Sequence, residues 1–220
     1  MKKLKLFSLV AILLLGLVSC DKDKIKKKTD TPSEPSTPSY LIKNAVKDYD
    51  GNFYDALKCS GRIVMAQNLR TTHYPDGTEI PMEPALSFEG RRYYPNDNSE
   101  NVNKYGYLYN WTAATHGDTT GADGEHKIQG ICPNGWHLPT DAELFLTSFT
   151  YENYLPALSG LFDGGYSEFN TYAYLWSSDA NLGEHKGKAL QYKYLTTGTV
   201  SSEKNLPIQY GCGVRCVKNE

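Results

Sequence analysis

Hydrophobic residues are distributed along this chain in two different ways. Leu6 to Val18 is one apolar stretch of 13 residues. From Tyr40 onward apolar side chains come instead in short segments separated by turn residues. Asp50-Gly51 separates Ala45–Tyr49 from Phe53–Cys59, and Ser60-Gly61 precedes Arg62–Met65, so three short strands joined by tight turns are predicted. Thr71–Asn103, with five turn signals (Pro75, Asp76-Gly77, Pro81, Pro84, Pro95), reads as loop. Tyr105, Leu108, Tyr109, Thr112 and Ala113 recur at helical spacing and predict a helix over 105–115 that stops before Gly117. Gly117–Gln129 reads as a polar loop. Thr140 followed three residues later by Glu143 is a capping box and predicts a helix from Asp141 to about Ser148, with Leu144 inward. After Leu155 come short aromatic segments punctuated by glycine: Tyr172–Trp176, Ala189–Leu195 and Tyr210–Val217. The last predicts a final strand with Cys212, Val214 and Cys216 on one face. Mostly antiparallel strands with two helices make the expected class α+β.

The first apolar stretch is an address. A membrane-spanning helix needs about 20 apolar residues, and this run follows the basic segment Met1–Lys5, so it reads as a signal sequence. It ends Leu17-Val18-Ser19-Cys20, which matches the bacterial lipobox. That resemblance implies removal of residues 1–19 and acylation of Cys20, with several acyl chains holding the protein stably on a membrane. Residues 20–40 are Lys-rich, then rich in Thr, Pro, Ser and Glu, with Ile25 the one apolar side chain between Asp21 and Ser39. Such a segment cannot bury enough surface to order itself, and reads as a tether. Lys26-Lys27-Lys28 within it could touch anionic head groups. Residues 41–220 form the expected domain. The expected location is the bacterial cell envelope, at the outer membrane or the cell surface.

Charge narrows the partners. From Leu41 onward there are 15 basic and 21 acidic side chains, net −6, which argues against nucleic acid as a partner. All 17 tyrosines lie at or after Tyr40, an aromatic content typical of a folded domain. The five histidines (His73, His116, His126, His137, His185) show no metal-ligand spacing. There is no phosphate loop, G-x-S-x-G or H-E-x-x-H motif, and no cofactor or metal is expected.

With Cys20 assigned to lipid, Cys59, Cys132, Cys212 and Cys216 remain. An even number in an exported domain favours two disulfides. Two cysteines four apart on a strand lie about 13 Å apart, too far to bridge each other. That leaves Cys132–Cys216 with Cys59–Cys212, or the crossed pairing. A zinc site would need a second closely spaced cysteine pair, and a redox pair would need C-x-x-C; neither is present.

The strings D-Y-D-G-N-F-Y, M-A-Q-N-L, Y-G-Y-L-Y-N-W-T-A-A, C-P-N-G-W-H-L-P-T-D-A-E, L-W-S-S and G-V-R-C-V, in this order from Val46 to Val217, resemble the Fibrobacter succinogenes major paralogous domain family. That family is similar to C-type-lectin-like folds: two helices on twisted antiparallel strands, with long loops and adjacent termini. Its members are typically exported, often lipidated, and no general activity is established for it. The resemblance implies a Cys132–Cys216 pair. Apolar residues usually stand where Cys59 and Cys212 stand, so a second disulfide, Cys59–Cys212, is the expected reason for both changes. Trp111, Trp136 and Trp176 are expected in the core, with His137 hydrogen-bonded near the capped helix start.

The expected function is a non-catalytic, lipid-anchored recognition or adhesion domain for a glycan or protein. Its candidate surface is the loop region Thr71–Glu100 with the segments Gly164–Tyr174 and Leu182–Leu195, where exposed tyrosines could stack on sugars or anchor partners. Calcium-lectin tripeptides are only echoed, in Glu83-Pro84-Ala85 and Trp176-Ser177-Ser178, and Asn96–Glu100 is oxygen-rich in the manner of a solvated turn. The alternatives are a structural subunit of a surface appendage or lipoprotein complex, an oxidase of the formylglycine-generating type using Cys212 and Cys216, or a glycosidase with paired carboxylates.

Overall fold

Alternation and turn chemistry decide the first third of the domain. The chain is described here by a computed structural model covering residues 38–82, 84–147, 155–195 and 198–220. Cys20, the leader and the tether as far as residue 37 lie outside the described residues, whereas Tyr40 already belongs to the fold, its carbonyl accepting from the Lys58 amide (2.8 Å). Strands β1 (Leu41–Lys47), β2 (Phe53–Cys59) and β3 (Arg62–Met65) form an antiparallel meander through the two predicted turns. The Asp48 carboxylate accepts the Asn52 amide (2.8 Å) and the Tyr54 hydroxyl (2.6 Å), which fixes the first turn. Strands β6 (Trp136–His137) and β12 (Val217–Lys218) complete a five-stranded sheet of order β1-β2-β3-β12-β6.

A second sheet has the order β11-β10-β9, from β9 (Ala173–Asn181), β10 (Lys186–Leu195) and β11 (Gly198–Pro207). Strand β11 is polar (GTVSSEKNLP) and carries no apolar alternation, so its pairing with β10 had no sequence signature. Two short hairpin-like pairs join β4 (Arg92–Tyr93) to β5 (Leu108–Tyr109) and β7 (Leu161–Phe162) to β8 (Tyr166–Ser167). The class is α+β with antiparallel ladders throughout these sheets.

The helix expected over 105–115 is broken into three pieces. Helix α1 (Val102–Tyr105) stops at Gly106, β5 follows, and α2 (Trp111–Thr115) begins after Asn110. Gly106 has φ 73°, and a Cβ there would stand 2.5 Å from the Leu69 carbonyl oxygen, so the helix cannot continue past it. The spacing misled because Leu108 and Tyr109 are both buried as a strand covered on two sides. Helix α3 (Asp141–Thr147) does start at the capping box: the Glu143 amide donates to Thr140 Oγ1 (3.3 Å) and the Thr140 amide to Glu143 Oε2 (3.1 Å). Leu144 is buried, as expected.

The C-terminal segment is not the single strand expected over Tyr210–Val217. Residues 211–217 are all buried and thread between other parts of the fold. Gly211 exchanges backbone bonds with Phe162, Cys212 with Tyr109, and Gly213 bonds Tyr174 and Trp176. The Leu69 amide then donates to Val214 and the Met65 amide to Cys216. Arg215, 8 % exposed, donates Nε to Asn68 Oδ1 at 2.9 Å. Cys216 is disulfide-bonded to Cys132, their Cα atoms 5.8 Å apart.

Cys59 and Cys212 are not bonded to each other, which corrects the expected second bridge. On β2, Tyr54 and Ala56 face the main core, whereas Leu57 and Cys59 face a smaller cluster with Leu41, Val64 and Val217. Cys212 belongs to the main core, so the five-stranded sheet stands between the two sulfurs. The Cys59 thiol instead points to the Thr147 carbonyl at 3.8 Å. The two positions are buried in two cores rather than in one.

Candidate functional site

The main core carries three tryptophans, and two of them are satisfied by backbone. Trp111 donates to the Ser177 carbonyl (3.1 Å) and Trp176 to the Tyr109 carbonyl (2.8 Å). Trp136 is also buried. Trp176-Ser177-Ser178 is therefore interior rather than a ligand set, and Glu83 lies outside the described residues. Among the described residues, no group of three or more His, Cys, Asp or Glu is placed to hold a metal ion.

His137 lies at the start of α3 as expected. Its Nε2 faces Glu143 Oε2 at 2.9 Å and its Nδ1 faces Asn219 Oδ1 at 2.8 Å. Glu143 Oε1 makes no well-aligned hydrogen bond, yet Arg62 stands 3.0 Å and Lys127 3.5 Å away. Burial pushes the Glu143 carboxyl up, but His137, the Thr140 amide and the Arg62 charge outweigh it and bring it down to about 2. The cluster is an ionic clasp between α3, β3 and the C-terminus.

On the other side of α3, Asp141, Asp179 and Glu203 converge on Lys188. The Lys188 ammonium is 4.0 Å from Asp141 and 3.5 Å from Glu203, and the Asp141 amide donates to Asp179 (3.0 Å). Burial, then Glu203, push the Asp141 carboxyl up to about 6 from its ordinary 3.8. A carboxyl raised on folding costs stability above its folded value, and that cost fades as pH falls towards 3.8. Asp141→Asn is therefore expected to raise Tm at pH 7.5, by a few degrees after allowance for partial exposure, and to give no gain at pH 4. Thermal unfolding at the two pH values checks this.

The loop region named from sequence and the 164–174 segment do meet in space. Met82, Pro84, Tyr93, Tyr94 and Asp97 from the loop, with Tyr166 of β8, line an open cleft of about 270 Å³. Beneath it, Tyr93 stacks on Phe162 with ring centroids 4.1 Å apart, and Phe162 packs on Tyr166 at 5.1 Å. The Tyr93 hydroxyl donates to the Ala85 carbonyl (3.3 Å). Gly211 makes this stack possible: a Cβ there would stand 2.7 Å from the Tyr93 ring. Asp97 sits in a tight turn in which Asn98 caps Glu100 (2.9 Å) and Asn101 bonds the Pro95 carbonyl (2.9 Å). Tyr166 presents its hydroxyl to Asp97 at 3.5 Å, and burial, then the Asp97 charge, push the phenol up. The Leu182–Leu195 segment does not line the cleft. Its His185 packs edge-on against exposed Phe88, ring centroids 5.5 Å apart.

Sequence reasoning missed Asn110, the residue that positions this loop. Asn110 is fully buried. Its Oδ1 accepts from Ala113 (2.9 Å), as the N-cap of α2, and from Arg91 (3.0 Å). Its Nδ2 donates to the Ser87 (2.9 Å) and Glu89 (2.6 Å) carbonyls. The only available signal was an asparagine just before an apolar run, a common N-cap.

Cys212 and Cys216 are not a dithiol: Cys216 is bridged to Cys132, and burial pushes the Cys212 thiol up, away from thiolate.

The geometry thus defines a disulfide-closed α+β domain with an aromatic cleft held between a long loop and a short hairpin. Residues 57–145 match the family model of the Fibrobacter succinogenes major domain. No curated protein and no solved structure matches the chain.

Proposed function

We propose that the chain is an exported, lipid-anchored surface protein whose C-type-lectin-like domain binds a glycan or protein and performs no catalysis. The observation that carries this reading is the aromatic cleft with one carboxylate among the described residues, built from the loop region and mounted on a rigid stack. Clefts of this kind, apolar with few polar groups, are the usual form of a binding site. The Cys132–Cys216 bridge supports export, because structural disulfides persist in oxidising compartments. The lipobox-like Leu17–Cys20 supports the anchor. No helix among the described residues is long and apolar enough to cross a membrane.

Growth with a clickable palmitate analogue is expected to label the wild-type protein and not Cys20→Ala. Protease added to intact cells is expected to digest the wild-type domain. An unlabelled protein, or one protected in intact cells and released only by lysis of the cytoplasm, overturns the reading. A second reading, a subunit of a surface assembly, is favoured by β11, which among the described residues pairs with β10 alone and leaves its outer edge open to a partner strand.

A further inference from the structure

The composition of the cleft discriminates among ligands. At about 270 Å³ it falls below the roughly 300–1,000 Å³ typical of drug-sized sites, so it holds one ring rather than an extended chain. Tyr94 and Tyr166 give it aromatic walls above the buried Tyr93, and Met82 and Pro84 add apolar surface. Among the described residues its one charged lining group is Asp97, an acceptor only, so a ligand must bring donors to that end. A purely apolar side chain would desolvate the carboxylate without replacing its hydrogen bonds. An acidic ligand meets both Asp97 and a domain of net −6. A simple cation gains little, since Asp97 is exposed and an exposed ion pair is screened. What remains is a ring with an apolar face and a row of hydroxyl donors.

We propose that the cleft is a subsite for one saccharide ring without an acidic substituent, lodged between the tyrosine walls with its hydroxyls donating to Asp97. This rests on the binding-module reading above. The site is preformed: the Tyr93–Phe162 stack, the Tyr93–Ala85 bond and the Asn98 and Asn101 bonds hold it without ligand, which lowers the entropy lost on binding. Asn96 and Asp97 both adopt φ near +50°, which holds Asp97 at the cleft rim.

The test uses the full acylated chain in a detergent without sugar groups, on an array of neutral, amino-sugar, uronate and sialylated oligosaccharides. Binding to at least one neutral or amino-sugar glycan is expected. Tyr94→Ala is expected to weaken that binding at least ~10-fold, by loss of aromatic contact. Asp97→Asn is expected to weaken it ~3-fold or more and to relax the exclusion of uronates. Unchanged Tm identifies variants that have kept the fold, and Tyr166→Ala serves as the second wall variant should Tyr94→Ala not fold. Binding to acidic glycans only, neutral-glycan binding that survives both wall variants, or no binding to any glycan on the array each overturns the subsite. Any of these in a labelled, surface-exposed protein leaves the surface-module reading standing. An unlabelled internal protein overturns that reading while the array still reports on the subsite.

Discussion

Replacing Cys132 and Cys216 together by alanine is expected to lower the unfolding free energy by about 4–5 kcal/mol. The bridge closes a loop with a sequence separation of 84, and the chain-entropy model gives about 4.5 kcal/mol for a loop of that size. The loss is a large share of the roughly 5–15 kcal/mol that holds a domain together. It falls on the segment least able to absorb it. Residues 211–217 join Phe162, Tyr109, Tyr174, Leu69 and Met65 through backbone bonds, so their release opens both the main core and the floor of the cleft. Urea unfolding of the wild type with and without reductant, beside the double variant, measures the effect. Two thiols, Cys59 and Cys212, are expected to react after denaturation of the oxidised protein and none before it, since both are buried. A midpoint that is insensitive to reductant would show that the bridge does not hold the fold.

The N-terminal turns were legible in the sequence: Asp50-Gly51 and Ser60-Gly61 lie between the strands they join, and local chemistry alone settles them. So was the start of α3, because a capping box is a contact between residues three apart. Residues 211–217 alternate in the sequence yet are all buried, because the segments around Met65, Leu69, Tyr109, Phe162 and Tyr174 bond to them, and no local pattern records that. The thiols follow the same logic. Burial of Cys59 and Cys212 was readable only through the family resemblance, in which apolar residues usually stand at both positions. That they lie across a sheet from one another depends on which face of β2 turns to which core. The cleft was readable as a region, through its prolines and tyrosines, but not as a site. Its walls come from positions as far apart as Met82 and Tyr166, brought together by Phe162 beneath Tyr93.

Asn110 is where one buried amide joins the helix, the loop and the cleft, and its replacement is the second large effect. Asn110→Ala removes four hydrogen bonds and leaves the Ser87 and Glu89 carbonyls and the Arg91 and Ala113 amides without this partner. At about 1 kcal/mol per lost bond, and more for groups left buried, the expected loss is about 3–5 kcal/mol. Asn110→Asp has nearly the same shape but opposite chemistry on one side. Its Oδ1 keeps both amide donors, while its second oxygen confronts two carbonyls with no hydrogen to offer. Burial and those carbonyls would raise the new carboxyl in the folded state, so the stability of this variant is expected to fall as pH rises from about 4 to 8. Asn110→Ala lacks a titrating group and is expected to run parallel to the wild type over the same range. Chemical denaturation at pH 4.5 and 7.5 separates the two. A pH-independent Asn110→Asp would mean that the 87–89 loop swings away from position 110 and water takes its place. That outcome would also remove the anchor on which the loop bearing Tyr93, Tyr94 and Asp97 is hung.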